Sequence, residues 1–190
     1  MLMKAVIGFM ILTISIVAGK LAYDEFFNDP EIAAFEESKW RHRDYLGVKF
    51  ESPFELSKTE VELPKYIKPF VKYMDVYKYE RKALCLVISK SEYIENMHVD
   101  LNGAVKGMMN SLKADDDITG VTYKTAPISK HYLTGRKITG KFKMNGKDAV
   151  ISGELYKSGS RLLQVLLTNL DYPENHAAGE RIMNSMRIQL

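Results

Sequence analysis

Apolar and polar residues alternate most regularly between Arg136 and Leu170, in the pattern typical of paired β-strands. The first strand of this region has one apolar face, and its other face carries Lys137, Thr139, Lys141 and Lys143. Asn145-Gly146 favours a type I′ hairpin turn, since both residues tolerate positive φ. Ser158-Gly159-Ser160 marks a second turn. The sequence therefore predicts an antiparallel meander.

Shorter strand patterns precede the meander. Alternation predicts strands over 45–50 and 74–80, and residues 118–124 return to a strand pattern. Residues 83–88 are continuously apolar apart from Cys85, which is typical of a central strand covered on both faces. Cys85 is interpreted as a small buried residue; the alternative of a reactive thiol requires an electropositive, partly exposed setting.

Two segments show helical periodicity instead. Apolar residues fall three and four apart between Leu101 and Leu112, and Asp100 can cap the start of this helix. Near the C-terminus, Asp171 and Glu174 have the spacing of a capping box, with Pro173 in the first turn. The second helix runs on to Met186, and residues 186–190 are expected to form a short extended tail.

The N-terminus is strongly apolar. Residues 5–19 carry no charge and lie between Lys4 and Lys20. A positive start followed by such a stretch is typical of a secretory signal, and extension over residues 1–23 approaches the length of a membrane-spanning helix. Cleaved signal peptide and retained membrane anchor both stay open. Either predicts an extracytoplasmic protein that is membrane-anchored or secreted into the periplasm, with any membrane contact through this helix.

Residues 24–44 are interpreted as a linker or juxtamembrane helix. A few apolar residues mix with many charges between Glu31 and Arg43, which predicts a moderately amphipathic helix or a stalk. A helix lying on the membrane surface is the alternative, although its apolar stripe is thin. Residues 45–190 are then expected to form one domain. Because strands and helices do not alternate regularly, the predicted class is α+β, an antiparallel sheet with helices packed on its faces.

The order of elements from Tyr45 to Leu190 resembles the PsbP-like α/β/α sandwich, which the photosystem II extrinsic protein shares with bacterial DcrB-type envelope proteins. The matching stretches are residues 47–54, the helix 100–112, the hairpins 137–167 with Gly153-Glu154-Leu155-Tyr156, and the terminal residues 185–188. The resemblance implies an accessory or assembly factor and no shared catalytic residues. Bacterial members are often lipid-anchored, whereas this chain has no cysteine directly after its apolar run that could be acylated.

Composition and charge exclude several function classes. The formal charge is +3, and Lys4 and Lys20 precede every acidic residue, so the chain from Asp24 onward is nearly neutral. A nearly neutral domain lacks the cationic face that duplex DNA requires, and we expect no nucleic-acid partner. Cys85 is the only cysteine, which excludes an intrachain disulfide and a cysteine-based zinc site.

The sequence contains no recognisable catalytic or metal-binding motif. Four histidines lie in four separate segments, and Asp115-Asp116-Asp117 lacks the alternating ligands of a calcium loop. No nucleophile elbow or phosphate-binding loop is present. We expect no enzyme activity, cofactor or metal. A deep pocket that gathers His131 or His98 with a carboxylate would favour a hydrolase with a dispersed site.

One basic-aromatic segment, residues 65–82, is a candidate ligand surface. Such surfaces suit anionic lipid headgroups or glycans, and the residues singled out are Lys65, Tyr66, Lys68, Lys72, Tyr73 and Lys78. The alternative is that the tyrosines pack on the sheet while the lysines stay solvated. The lysine face of Lys137, Lys141 and Lys143 is interpreted as a solvated strand face that discourages edge-to-edge pairing.

These observations favour a non-enzymatic extracytoplasmic accessory or assembly protein that binds a partner protein or an envelope complex. The alternative function is binding of anionic lipid or glycan through residues 65–82.

Overall fold

A computed structural model describes residues 37–189, with the exception of residues 64, 66, 82 and 96. The predicted signal or anchor over residues 1–23 and most of the predicted linker lie outside the described residues, as does Tyr66. Among the helices that are described, none has the length and apolarity needed to cross a bilayer.

A seven-stranded antiparallel sheet forms the centre of the domain. Its spatial order is β3-β4-β5-β9-β8-β7-β6. The strands are β3 (Ser57–Thr59), β4 (Val71–Arg81), β5 (Leu84–Tyr93), β6 (Ile118–Lys130), β7 (Leu133–Met144), β8 (Lys147–Ser158) and β9 (Arg161–Leu170). The meander prediction is confirmed, and Asn145 and Gly146 adopt φ values of 51° and 77° in the turn between β7 and β8. The apolar strand β5 lies between β4 and β9, as expected of a central strand.

A second, three-stranded sheet has the order β1-β2-β10. Its strands are β1 (Arg41–Tyr45), β2 (Val48–Ser52) and β10 (Arg187–Ile188). The expected extended tail is therefore present, and it pairs with β2. The single strand predicted over 45–50 is wrong, because Leu46 and Gly47 take φ values of 57° and 86° and turn the chain. A Cβ on Gly47 would lie 2.1 Å from the carbonyl oxygen of Gln189, so this turn requires glycine.

The helix predicted through Arg43 is also wrong in its described part. Residues Glu37–Lys39 form one 3-10 turn, and strand β1 follows. Pairing with β2 satisfies the backbone N–H and C=O groups of β1. A helix with a thin apolar stripe would gain little stability from packing. Arg181 holds these N-terminal residues on the domain, since its guanidinium bonds Glu37 and Glu51 and lies 4.1 Å from the ring centroid of Trp40.

Helix α1 (Leu101–Lys113) and helix α2 (Pro173–Ser185) complete the fold, and a 3-10 turn at Lys68–Phe70 precedes β4. Asp100 caps α1 as predicted, because its carboxylate accepts from the backbone amide of Asn102 at 3.0 Å. The capping box predicted for α2 is wrong. Tyr172 is the N-cap residue and makes no side-chain cap bond.

The helices lie on opposite faces of the large sheet, so the predicted α+β class with helices on the faces is confirmed. One core packs α1 against alternate residues of the sheet, including Ile138 and Phe142. The other core packs α2 and the small sheet against the opposite face, including Leu163 and Val165. Full burial of an aliphatic or aromatic side chain contributes roughly 1.5–3 kcal/mol, and both layers are therefore held by burial on the shared sheet.

Candidate functional site

A groove opens between α2 and the uncovered part of the large sheet, and we call it the α2 groove. Helix α2 packs on β9 and on the small sheet, and the same face of β6, β7 and β8 stays open beside it, except where Ile128, Leu133 and Tyr156 join that core. The larger part of the groove has a volume of about 750 Å³, and a neighbouring hollow has about 610 Å³. The two parts share Glu154, Met183 and Asn184. Together they follow α2 from His176 to the residues beyond its C-terminus.

Strand alternation places the lysine wall of this groove. Ile138 and Phe142 are buried against α1, which turns Lys137, Thr139 and Lys141 to the opposite face. The predicted lysine face is therefore present. Two of its three lysines line the groove, whereas Lys143 pairs with Asp148 at 3.0 Å.

The floor and the helical wall are mainly polar. Hydroxyl and amide groups reach the groove from Thr122, Thr139, Ser152, Asn169 and Asn184. Apolar contacts come from Val150, Leu167 and Met183. Gly179 allows α2 to lie close to the sheet, because a Cβ there would stand 2.9 Å from a methyl group of Leu167.

A buried acid lies where the two parts of the groove meet. The Tyr156 hydroxyl donates to the Glu154 carboxylate at 2.7 Å, and the Lys130 ammonium approaches the same carboxylate at 3.0 Å. Burial, followed by the bond to Glu154, raises the pKa of Tyr156 above its ordinary value. Tyr156 therefore stays protonated and acts as a hydrogen-bond donor. The Glu154 charge is already compensated within the protein.

Asp171 anchors the other end of the groove. The sequence predicts that it caps α2, but its carboxylate contacts the imidazole of His176, and Lys141 lies 3.4 Å away. The His176 bond, with a smaller effect of Lys141, lowers the pKa of Asp171. The cluster ties β7 to the first turn of α2 and fixes the position of the lysine wall relative to the helix.

The predicted ligand surface is divided between different parts of the fold. Lys65 and Lys68 are exposed near the 3-10 turn before β4. Lys72 lies at a bulge and pairs with Glu92 and Glu95, next to the exposed Tyr73. Lys78 is nearly buried near the far end of β4, where it pairs with Glu80. The structure thus brings Lys72 and Tyr73 together and separates them from Lys78; Tyr66 lies outside the described residues.

The carboxylate of Glu154 is bonded within the protein, and the thiol of Cys85 is unreactive. His131 and Glu154 line the same hollow, and a histidine beside a carboxylate is the combination expected of a hydrolase with a dispersed site. This carboxylate, however, is bound by Lys130 and Tyr156. Burial raises the pKa of the Cys85 thiol to about 12, which opposes the reactive-thiol alternative. In the part of the chain that the structure describes, no three His, Cys, Asp or Glu side chains group closely enough to hold a metal ion.

The α2 groove was not predicted from the sequence, although its lysine wall was. Lys137 and Lys141 were visible as a lysine face, and alternation is enough to place them. Glu154, Asn169 and Asn184 carried no signal, because their shared position depends on where α2 lies across the sheet. A glycine one turn before Met183 was the one hint that the helix approaches a strand closely.

No family model matches the chain, and no curated protein matches it. Solved structures do match. Cyanobacterial PsbP (CyanoP) from Synechocystis gives a TM-score of 0.48 at 10% identity, covering 80% of this chain and 93% of that one. A protein of unknown function from Pseudomonas aeruginosa gives 0.42 at 12% identity, covering 72% and 99%.

LpqN from Mycobacterium tuberculosis, a protein involved in cell envelope biogenesis, gives a TM-score of 0.41 at 14% identity, covering 80% of this chain and 79% of that one. A solved PsbP is thus among the structures that this chain resembles, as its sequence predicts. At 10–14% identity the likeness concerns the fold alone.

Proposed function

We propose that this chain is a non-enzymatic accessory protein that works outside the cytoplasm and binds a partner protein through the α2 groove. The groove carries the proposal, because it is a long open surface lined by hydrogen-bonding and cationic side chains. A surface of this kind suits recognition. The two reactive side chains at the base of the groove, Tyr156 and Glu154, are hydrogen-bonded to each other, which favours a non-enzymatic role.

The expected location supports a role in the cell envelope. The uncharged run over residues 5–19, with lysine at both ends, is typical of an export signal or an anchor. Glu37 is attached to the domain through Arg181, so residues 20–36 join the apolar run to the folded part. A retained anchor would tether the groove to the membrane that holds envelope complexes.

Cross-linked affinity purification tests the proposal. Full-length tagged protein is recovered from membranes and compared with the Lys137→Glu/Lys141→Glu double variant by quantitative mass spectrometry. We expect one stoichiometric envelope protein with the wild type and its loss with the variant. A matched Lys106→Glu/Lys113→Glu variant, with the same charge change at exposed sites on α1, should retain that protein. Equal recovery with all three proteins would contradict the groove as the binding surface.

Binding of anionic lipid or glycan through residues 65–82 is the second proposal. Lys65 and Lys68 are exposed and form no ion pair with any residue that the structure describes. Charge reversal at Lys68 and Lys72 separates the two proposals. Unchanged binding to anionic liposomes and to glycans would contradict the second one.

A further inference from the structure

The length of the α2 groove fits an extended segment of a polypeptide. Helix α2 has 13 residues and therefore spans about 20 Å. An extended chain rises about 3.3 Å per residue, so about six residues would follow the groove from end to end. The hydroxyl and amide groups of its lining can bond the N–H and C=O groups of such a segment, which an apolar lining could not do.

Positive charge is concentrated in the groove although the domain is nearly neutral. Five lysine or arginine residues and two glutamates line its two parts, the basic ones being Lys124, Lys130, Lys137, Lys141 and Arg187. Glu154 is compensated by Lys130 and bonded by Tyr156, and Lys141 pairs with Asp171 at 3.4 Å. Among the described lining residues, Glu180 is then the one acid without such a partner, facing Lys124, Lys137 and Arg187. The groove therefore has a net excess of cations.

Two of these cations have no compensating acid among the described residues. Lys124 and Lys137 are exposed and make no ion pair with any residue that the structure describes. They lie on neighbouring strands, two residues out of register, since Lys124 is opposite Thr139 and Lys137 is opposite Ala126. Lys141 follows on β7 about 13 Å from Lys137, with 73% of its side chain exposed. The three lysines are thus grouped on β6 and β7 along one side of the groove.

We propose that the α2 groove binds an extended acidic segment of a partner protein, with its carboxylates along Lys124, Lys137 and Lys141. This inference rests on the proposed function and names the chemistry of the partner. The segment's backbone bonds the polar floor, and its small apolar side chains contact Val150 and Met183. A lipid acyl chain would need a continuous apolar sleeve, which the hydroxyl and amide groups of the floor interrupt.

Fluorescence anisotropy with synthetic peptides tests this assignment. The full-length protein is held in a neutral detergent, and the probe is a labelled eight-residue peptide in which glutamate alternates with threonine. Comparison peptides carry glutamine or lysine in place of glutamate. We expect binding of the glutamate peptide alone, weakened by salt because the screening length is about 8 Å at physiological ionic strength.

Charge reversal locates the binding surface. Lys137→Glu/Lys141→Glu should weaken binding of the glutamate peptide roughly tenfold or more, because two attractive contacts become repulsive. The matched Lys106→Glu/Lys113→Glu variant, changed at exposed sites on α1, should bind like the wild type. Lys124→Gln/Lys137→Gln, which neutralises charge at exposed sites, should cause a smaller loss of affinity for the glutamate peptide. This variant keeps the test possible if the charge-reversed one does not fold.

Several outcomes would overturn the inference. These are equal affinity for glutamate and glutamine peptides, no binding of any peptide, or equal loss in the two charge-reversed variants. Binding of phosphatidylglycerol vesicles that is lost in Lys137→Glu/Lys141→Glu would assign the groove to a lipid instead. If the peptides fail while affinity purification still recovers a partner that the groove variant loses, the acidic segment is excluded and the proposed function stands.

Discussion

The Tyr156 hydroxyl lies 2.7 Å from a carboxylate oxygen of Glu154, at the point where the two parts of the α2 groove meet. Tyr156 is fully buried and Glu154 is 9% exposed, so this bond replaces solvation that the carboxylate loses on folding. Lys130 completes the arrangement, with its ammonium 5.6 Å from the centroid of the Tyr156 ring. The base of the groove is therefore a satisfied polar cluster, and it positions the strands on either side.

Tyr156→Phe should destabilise the protein by about 1–3 kcal/mol, because a buried carboxylate loses a donor while the shape of the core is kept. Urea unfolding of the full-length protein in detergent, followed by circular dichroism, measures the change. Tyr172→Phe is the control, since that side chain is exposed. An unchanged unfolding midpoint for Tyr156→Phe would show that the bond contributes nothing to stability.

Asp171 should make stability depend on pH in a defined direction. Its pKa is lowered in the folded protein, chiefly by His176 and then by Lys141. A lowered pKa means that the stabilisation is present above the ordinary value of 3.8 and is lost as the pH falls through the folded value. Thermal midpoints of wild type and Asp171→Asn should therefore differ at pH 6 and approach each other as the pH falls below 3.8.

The Asp116→Asn variant, changed in the turn after α1, is the control for this comparison. Its midpoint should follow that of the wild type over the whole range. A difference between Asp171→Asn and wild type that persists unchanged down to pH 2 would contradict the ion-paired role of Asp171.

Much of the fold could be predicted from local pattern. The β7–β8 hairpin could be predicted because the alternation of its strands and the turn residues Asn145-Gly146 indicate the same structure. Helix α1 could be predicted because Asp100 precedes an apolar stripe and caps it. Strand β1 was not, since Arg41–Tyr45 lacks an apolar alternation and is held by pairing with β2. Asp171 was misjudged because His176 and Lys141 compete for its carboxylate, and neither competitor belongs to the local capping pattern.

Gly140→Ala should destabilise the sheet by about 1–3 kcal/mol, the usual cost of inserting a methyl group into a packed region. An added Cβ would lie 2.4 Å from the backbone carbonyl oxygen of Thr122, and backbone cannot move aside as a flexible side chain can. Differential scanning calorimetry compares this variant with Thr125→Ala at an exposed site on β6. Equal midpoints for the two variants would show that β6 and β7 accommodate the added methyl group without loss of stability.

The thiol of Cys85 should react slowly in the native protein. Burial raises its pKa to about 12 from the ordinary 9.0, so little thiolate exists at pH 8. Alkylation by iodoacetamide, followed by mass spectrometry, should be roughly a hundredfold slower in the folded protein than in urea. Equal rates in the two conditions would mean that the thiol is exposed in the native state.

Arg181→Gln should loosen the N-terminal residues while the large sheet stays intact. The guanidinium bonds Glu37 and Glu51 and stacks on Trp40, whereas the shorter neutral amide can reach only part of this set. Hydrogen exchange should become faster over residues 37–45 and stay unchanged in β8 and β9. Arg161→Gln, which breaks an ion pair with Glu92 elsewhere, is the matched control. Faster exchange throughout the domain would indicate global destabilisation instead.

Site-specific photo-cross-linking in intact cells tests whether the α2 groove binds a partner protein. A benzoylphenylalanine replaces Asn184 in the α2 groove or, as the control, the exposed Lys106 on the opposite face of the sheet. We expect one cross-linked envelope protein from position 184, joined through an acidic segment, and none from position 106. Cross-linking of the same protein from both positions, or none from position 184, would contradict the groove as the site of partner binding.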